Sequence, residues 1–146
     1  MNAVIFSMKI SLKDIAIFLY LISLILPCFM GALGFFGFFA LILGWIGIAS
    51  LDIFIGLPWL ANLLFFAALI FYKMNKNYKI VLSVLTIILG LFTLGINEIP
   101  ADEGGAYYSV SVGVGFLFWM SSFIVLLISS IKQKLTSPNN QNALHP

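Results

Sequence analysis

All seven cationic side chains of this 146-residue chain are lysines, and they fall into three clusters separated by long apolar stretches. Lys9 and Lys13 come first, then Lys73, Lys76 and Lys79, then Lys132 and Lys134. Most of the acids (Asp52, Glu98, Asp102 and Glu103) sit in the middles of the stretches between them. Lysines that flank transmembrane helices are retained on the cytoplasmic side. The spacing therefore predicts a chain threaded through a membrane, with the lysine clusters on one side and an even number of crossings between neighbouring clusters.

Composition agrees. The chain is 62% hydrophobic and 8% charged, with mean hydropathy +1.15, whereas a soluble domain carries about 25% charged residues. Such a chain cannot cover its apolar surface in water, so lipid must be its solvent. The net charge of +2 is spread as membrane flanks and not as a basic patch, which argues against nucleic acid. There is no arginine, so guanidinium recognition of phosphate or carboxylate is excluded. The single cysteine, Cys28, excludes an internal disulfide and a cysteine metal cage within one chain. The one histidine, His145, stands in the polar tail. Nucleophile–base and metal-ligand spacings are absent. No cofactor, metal or catalytic residue is expected, and the chain reads as a non-enzyme.

Lys9 and Lys13, the apolar run from Ile15 to Leu26 and the small residues of Ala32-Leu33-Gly34 have the outline of a signal peptide. Ile25-Leu26-Pro27-Cys28 has that of a lipoprotein cleavage box. The apolar character continues past the first site, and Pro27 occupies the small-residue position of the second, so a retained first helix is expected.

The fold class expected is an all-α membrane protein, a bundle of four transmembrane helices with an apolar interfacial or re-entrant outer segment. A span needs about 20 residues. The spans fall at about residues 12–29, 53–72, 80–96 and 115–131, within a single membrane domain over 1–132. A polar tail over 133–146 reads as disordered. Both termini are then cytoplasmic. Trp45, Trp59 and Trp119 fall near outer helix ends, and Tyr72 and Tyr78 near inner ones, as interfacial aromatic rings do. Pro58 suits the first turn of the second helix, where its missing N–H costs nothing.

The outer stretch Gly31 to Asp52 is too apolar for a loop in water, and irregular backbone cannot face lipid. It is expected to lie at the outer interface or to re-enter and plug the bundle. Its glycines, Gly31, Gly34, Gly37, Gly44 and Gly47, suit close packing within the chain. Asn62 places an amide inside the second helix, where it needs a partner, so it is a candidate intramembrane polar contact. Glu98, Asp102 and Glu103 form the acidic cluster, on an outer loop. They are candidates for partner contact or for attracting cations, though no calcium-loop spacing is present. From Tyr107 to Val114 the residues alternate with period two, so a short extended segment is expected, without an evident pairing partner. Ser121-Ser122 and Ser129-Ser130 can bond back to their own helix carbonyls.

Gly44-Trp45-Ile46-Gly47, Trp59-Leu60-Ala61-Asn62, and Asp102-Glu103-Gly104-Gly105 followed by Gly113-Val114-Gly115-Phe116-Leu117-Phe118-Trp119 resemble segments of a group of small bacterial inner-membrane proteins. The resemblance covers roughly residues 29–122. It implies a bacterial inner-membrane location and no particular activity. The functional expectation is a protein that acts through protein–protein contacts, as an accessory or immunity-like subunit. Its partners are then the lipid bilayer and another membrane protein or a second copy. The alternative is a small oligomeric channel or transporter, against which stands the lack of charge within the spans; Asp14, beside Lys13 at the inner boundary, reads as a solvated flank.

Overall fold

The computed structural model describes residues 10–31, 34–70, 75–100 and 107–136. The chain is mostly helical, and three helices are long and apolar enough to cross a membrane. These are α4 (Ile53–Ile70), α5 (Lys76–Leu91, continued by a 3₁₀ turn over Phe92–Gly95) and α6 (Val114–Leu135). The first helix, α1 (Leu12–Ile25), is shorter. Its 14 residues give about 21 Å of helix. Two short helices, α2 (Gly37–Leu43) and α3 (Trp45–Ala49), lie between α1 and α4.

Local chemistry explains the helix ends. Ser11 and Asp14 form a reciprocal capping box at the start of α1: Asp14 N–H donates to Ser11 Oγ at 3.2 Å, and Ser11 N–H donates to Asp14 Oδ2 at 3.0 Å. The expected first span ran to Phe29, but α1 stops at Ile25, because the residue before a proline is pushed out of the helical region. Leu26 is extended, with φ −91° and ψ 152°. Pro58 lies inside α4 and not in its first turn. The helix begins at Ile53 because Asp52 caps it, accepting from Phe54 N–H at 2.9 Å and Ile55 N–H at 3.3 Å. At the other end of the chain, α6 runs through Lys132 to Leu135. The first residues of the expected tail are therefore helical, and residues 137–146 lie outside the described residues.

The all-α expectation misses two small sheets, which gather at one end of the bundle. After Pro27 the chain is extended as β1 (Pro27–Met30), which pairs antiparallel with β2 (Phe35–Phe36) on one side and β5 (Ser111–Val112) on the other. Strands β3 (Glu98–Pro100) and β4 (Tyr107–Ser109) form a second antiparallel pair. The alternating segment after Tyr107 thus finds two partners, one for each half. Neither was legible in the sequence, because one lies about 80 residues upstream and the other is only three residues long.

The helices pack as α1 on α6, α6 on α5 and α5 on α4. The centre is aromatic. Tyr20 stacks on Phe65 with centroids 4.8 Å apart, Phe65 meets Phe123 at 5.2 Å, and Phe123 meets Trp119 at 4.5 Å. Ala16, Ala61 and Ala68 let the helices approach around these rings. Lipid tails are as apolar as these side chains, so packing and hydrogen bonding hold the bundle together. Near the end opposite the sheets, Ser83 Oγ lies 3.4 Å from Ser130 Oγ across α5 and α6. Each of these serines also donates to its own helix, Ser83 to Lys79 O at 2.8 Å and Ser130 to Leu126 O at 2.9 Å, as does Ser122, to Trp119 O at 2.6 Å.

The expected outer segment is not one continuous helix. It folds as β2, α2 and α3 against the rest of the chain, with α3 on α4. A Cβ on Gly47 would stand 2.5 Å from Ile55 Cγ2 and 2.7 Å from Gly56 N. Glycine at 47 is therefore what lets α3 sit on the first turn of α4, a contact within the chain.

Candidate functional site

A cavity of about 580 Å³ opens under the sheet end, among α1, α2, α3, α4, the 3₁₀ turn and the start of α6. Volumes of roughly 300–1,000 Å³, apolar walls and a few placed polar groups mark small-molecule sites. The floor holds Asn62, whose side chain is 7% exposed. Its Oδ1 accepts from Tyr20 Oη on α1 and from Trp119 Nε1 on α6, both at 2.9 Å. An indole N–H is a donor only. That contact fixes the amide orientation: the atom facing Trp119 must be the oxygen. The Nδ2 group makes no hydrogen bond among the described residues and is not fully enclosed, so it faces the cavity.

A second polar group is unpaired. Thr93, in the 3₁₀ turn, lines the cavity, is 6% exposed, and its Oγ1 has no hydrogen-bond partner among the described residues. Other polar atoms in the wall are committed. Trp59 Nε1 donates to Leu41 O at 2.8 Å, which ties α4 to α2. Ser23 Oγ donates to Tyr20 O at 2.6 Å. Cys28 Sγ donates to Phe35 O at 3.0 Å. The exposed members of the lining, Leu43, Ile46, Ser50 and Asp52, all come from one edge, the end of α2 through the turn after α3.

No family model, no curated protein and no solved structure matches the chain.

The structure separates the residues singled out in the sequence. Asn62 stands in the cavity floor and joins three helices, about two and a half turns into α4. Glu98 is exposed on β3, opposite Ser109 of β4, and its neighbour Ile99 lines the cavity. Asp102 and Glu103 lie outside the described residues. Tyr107 and Tyr108 are exposed on β4, at 62% and 40%. Tyr20 and Trp119 complete the polar knot. A tyrosine in the middle of an apolar helix was a legible signal, because a buried phenol needs a partner. Thr93 carried no such signal: threonine is common beside apolar residues, and only the packing shows its hydroxyl unpaired.

Proposed function

We propose that the chain is a bacterial inner-membrane protein of four crossings, with both termini cytoplasmic, that acts without catalysis by contacting another membrane protein through its outer, sheet-bearing end. The lysine clusters and the resemblance to small inner-membrane proteins support the location and the orientation. For the first crossing, α1 is extended by β1. Non-helical backbone is tolerated at membrane depth where protein covers it, and β1 is paired on both sides.

The observation that carries the contact reading is the ordered outer end itself. Backbone pairing fixes β3 and β4, and on that platform Glu98, Tyr107 and Tyr108 are exposed. Exposed tyrosines and charges held on a rigid support are the residues from which recognition surfaces are built. The test is photo-crosslinking from position 108 in intact cells. A discrete crosslinked partner should appear, and neutralising Glu98, Asp102 and Glu103 to Gln or Asn should weaken it without changing expression. The channel reading predicts instead mutation-sensitive currents in a planar bilayer, because acids at a pore mouth concentrate cations. Currents from purified protein that crosslinks to nothing would reject the accessory role.

A further inference from the structure

The cavity and its unpaired polar groups are not used by the surface contact proposed above, and the inference drawn from them stands independently of it. The Asn62 amide presents its N–H donors to the cavity with no hydrogen-bond partner among the described residues, and donors held in an apolar wall favour a ligand that accepts from them. The orientation of Asn62 is imposed by Trp119, so the amide cannot turn them away. Thr93 adds a second unpaired polar side chain in the same wall. Water is a poor occupant, since a bound water needs two to four polar partners and most of this lining is apolar, including Leu24, Phe29, Leu41 and Phe116. Among the described residues of the lining Asp52 is the one carboxylate, and its Oδ1 is engaged by the α4 amides. Among the described residues nothing in the wall is positioned to neutralise a charged ligand. The exposed edge carries Leu43 and Ile46, so an entering molecule passes apolar side chains.

We propose that this cavity binds a lipid-like amphiphile, an apolar chain bearing an uncharged hydrogen-bond acceptor such as an ester or amide carbonyl, with Asn62 Nδ2 donating to that acceptor. The walls match the chain and the amide matches the carbonyl. The surrounding membrane is the source of such molecules.

The test uses the full chain in mild detergent with Trp45→Phe, because Trp45 is exposed while Trp59 and Trp119 line the cavity. The probe is methyl 9,10-dibromostearate, whose bromines quench tryptophan on contact. Saturable quenching near one equivalent is expected. The same titration with 9,10-dibromooctadecane, which lacks the ester, should give about three- to tenfold weaker binding, the loss of one hydrogen bond. Ala40→Phe, which fills the wall, should remove the saturable component while the far-ultraviolet circular dichroism stays unchanged. Equal affinity for ester and alkane overturns the role of Asn62. Quenching that only rises linearly with probe, or that survives in folded Ala40→Phe protein, overturns the site. The ester–alkane comparison uses one folded protein, so it decides even if Ala40→Phe does not fold. Absence of saturable quenching, together with a dimer in native mass spectrometry, assigns the cavity to a second copy and ends the proposal.

Discussion

Trp119 on α6 donates its indole N–H to Asn62 on α4 at 2.9 Å, and the same oxygen takes the Tyr20 phenol of α1. One amide thus joins three helices that are far apart in sequence. Asn62→Ala should strand both donors and cost about 2 kcal/mol, whereas Tyr20→Phe should cost about 1 kcal/mol because Asn62 keeps its indole partner. Reversible unfolding in bicelles would measure both. The double variant should cost less than the sum, since the two residues share one bond; strict additivity would mean that the contact contributes nothing.

Leu51 has φ +58°, at the position after α3 where glycine is usual. Its N–H bonds Ile48 O at 3.2 Å and the next N–H, of Asp52, bonds Gly47 O at 2.8 Å, which closes the helix end. A leucine there costs about 1–2 kcal/mol, and at 87% exposure its side chain returns little packing. Leu51→Gly should therefore stabilise the protein by up to about 1 kcal/mol, after the greater chain entropy of glycine is subtracted. A lower melting temperature would show that the leucine side chain is held by something outside this chain.

Thr93 Oγ1 has no partner among the described residues. Replacing it by the isosteric valine removes a buried polar atom that makes no bond, so the ligand-free protein should be unchanged or more stable by less than about 1 kcal/mol. A loss above that range, read by thermal melting in detergent, would mean that the hydroxyl is bonded in solution.

Gly115 opens α6 beneath β1. A Cβ there would lie 2.8 Å from Leu26 O and from Pro27 O, both backbone atoms that cannot swing aside. Gly115→Val should cost about 1–3 kcal/mol, as overpacking does, and should loosen the sheet end first. Cys28 reports on it: half-buried and bonded to Phe35 O, it should react slowly with maleimide at pH 7 and faster in the variant. Unchanged alkylation would place the disturbance elsewhere.

Topology is testable at exposed positions. Cysteines at Ser50 and Ser109, in a Cys28→Ser background, should both be labelled by an impermeant reagent from outside the cell. A cysteine at Asn77 should be labelled only after permeabilisation. Labels on opposite sides for Ser50 and Ser109 would overturn the even number of crossings between them.

The helices were legible in the amino-acid sequence because their causes are local. An apolar run of about 20 residues has lipid as its solvent and must satisfy its backbone internally, and lysine retention is a property of short flanks. Hence α4, α5 and α6 fall close to where the spacing of charges put them. The end of α1 was misjudged by a few residues because composition continues smoothly past Pro27 while backbone geometry does not. What only the tertiary structure decided is everything that depends on distant pairing. Short strands such as β1 and β5 have no stable existence alone and acquire one only when packing brings them together. Likewise, the sequence shows that Asn62 needs a partner, but not which one. That Tyr20 and Trp119 both choose its oxygen, and leave the nitrogen facing a cavity, follows from how α1, α4 and α6 meet. Hydrogen bonds are directional and short, so they are settled by the final packing of the helices and not by the hydrophobic pattern that brings those helices into the membrane.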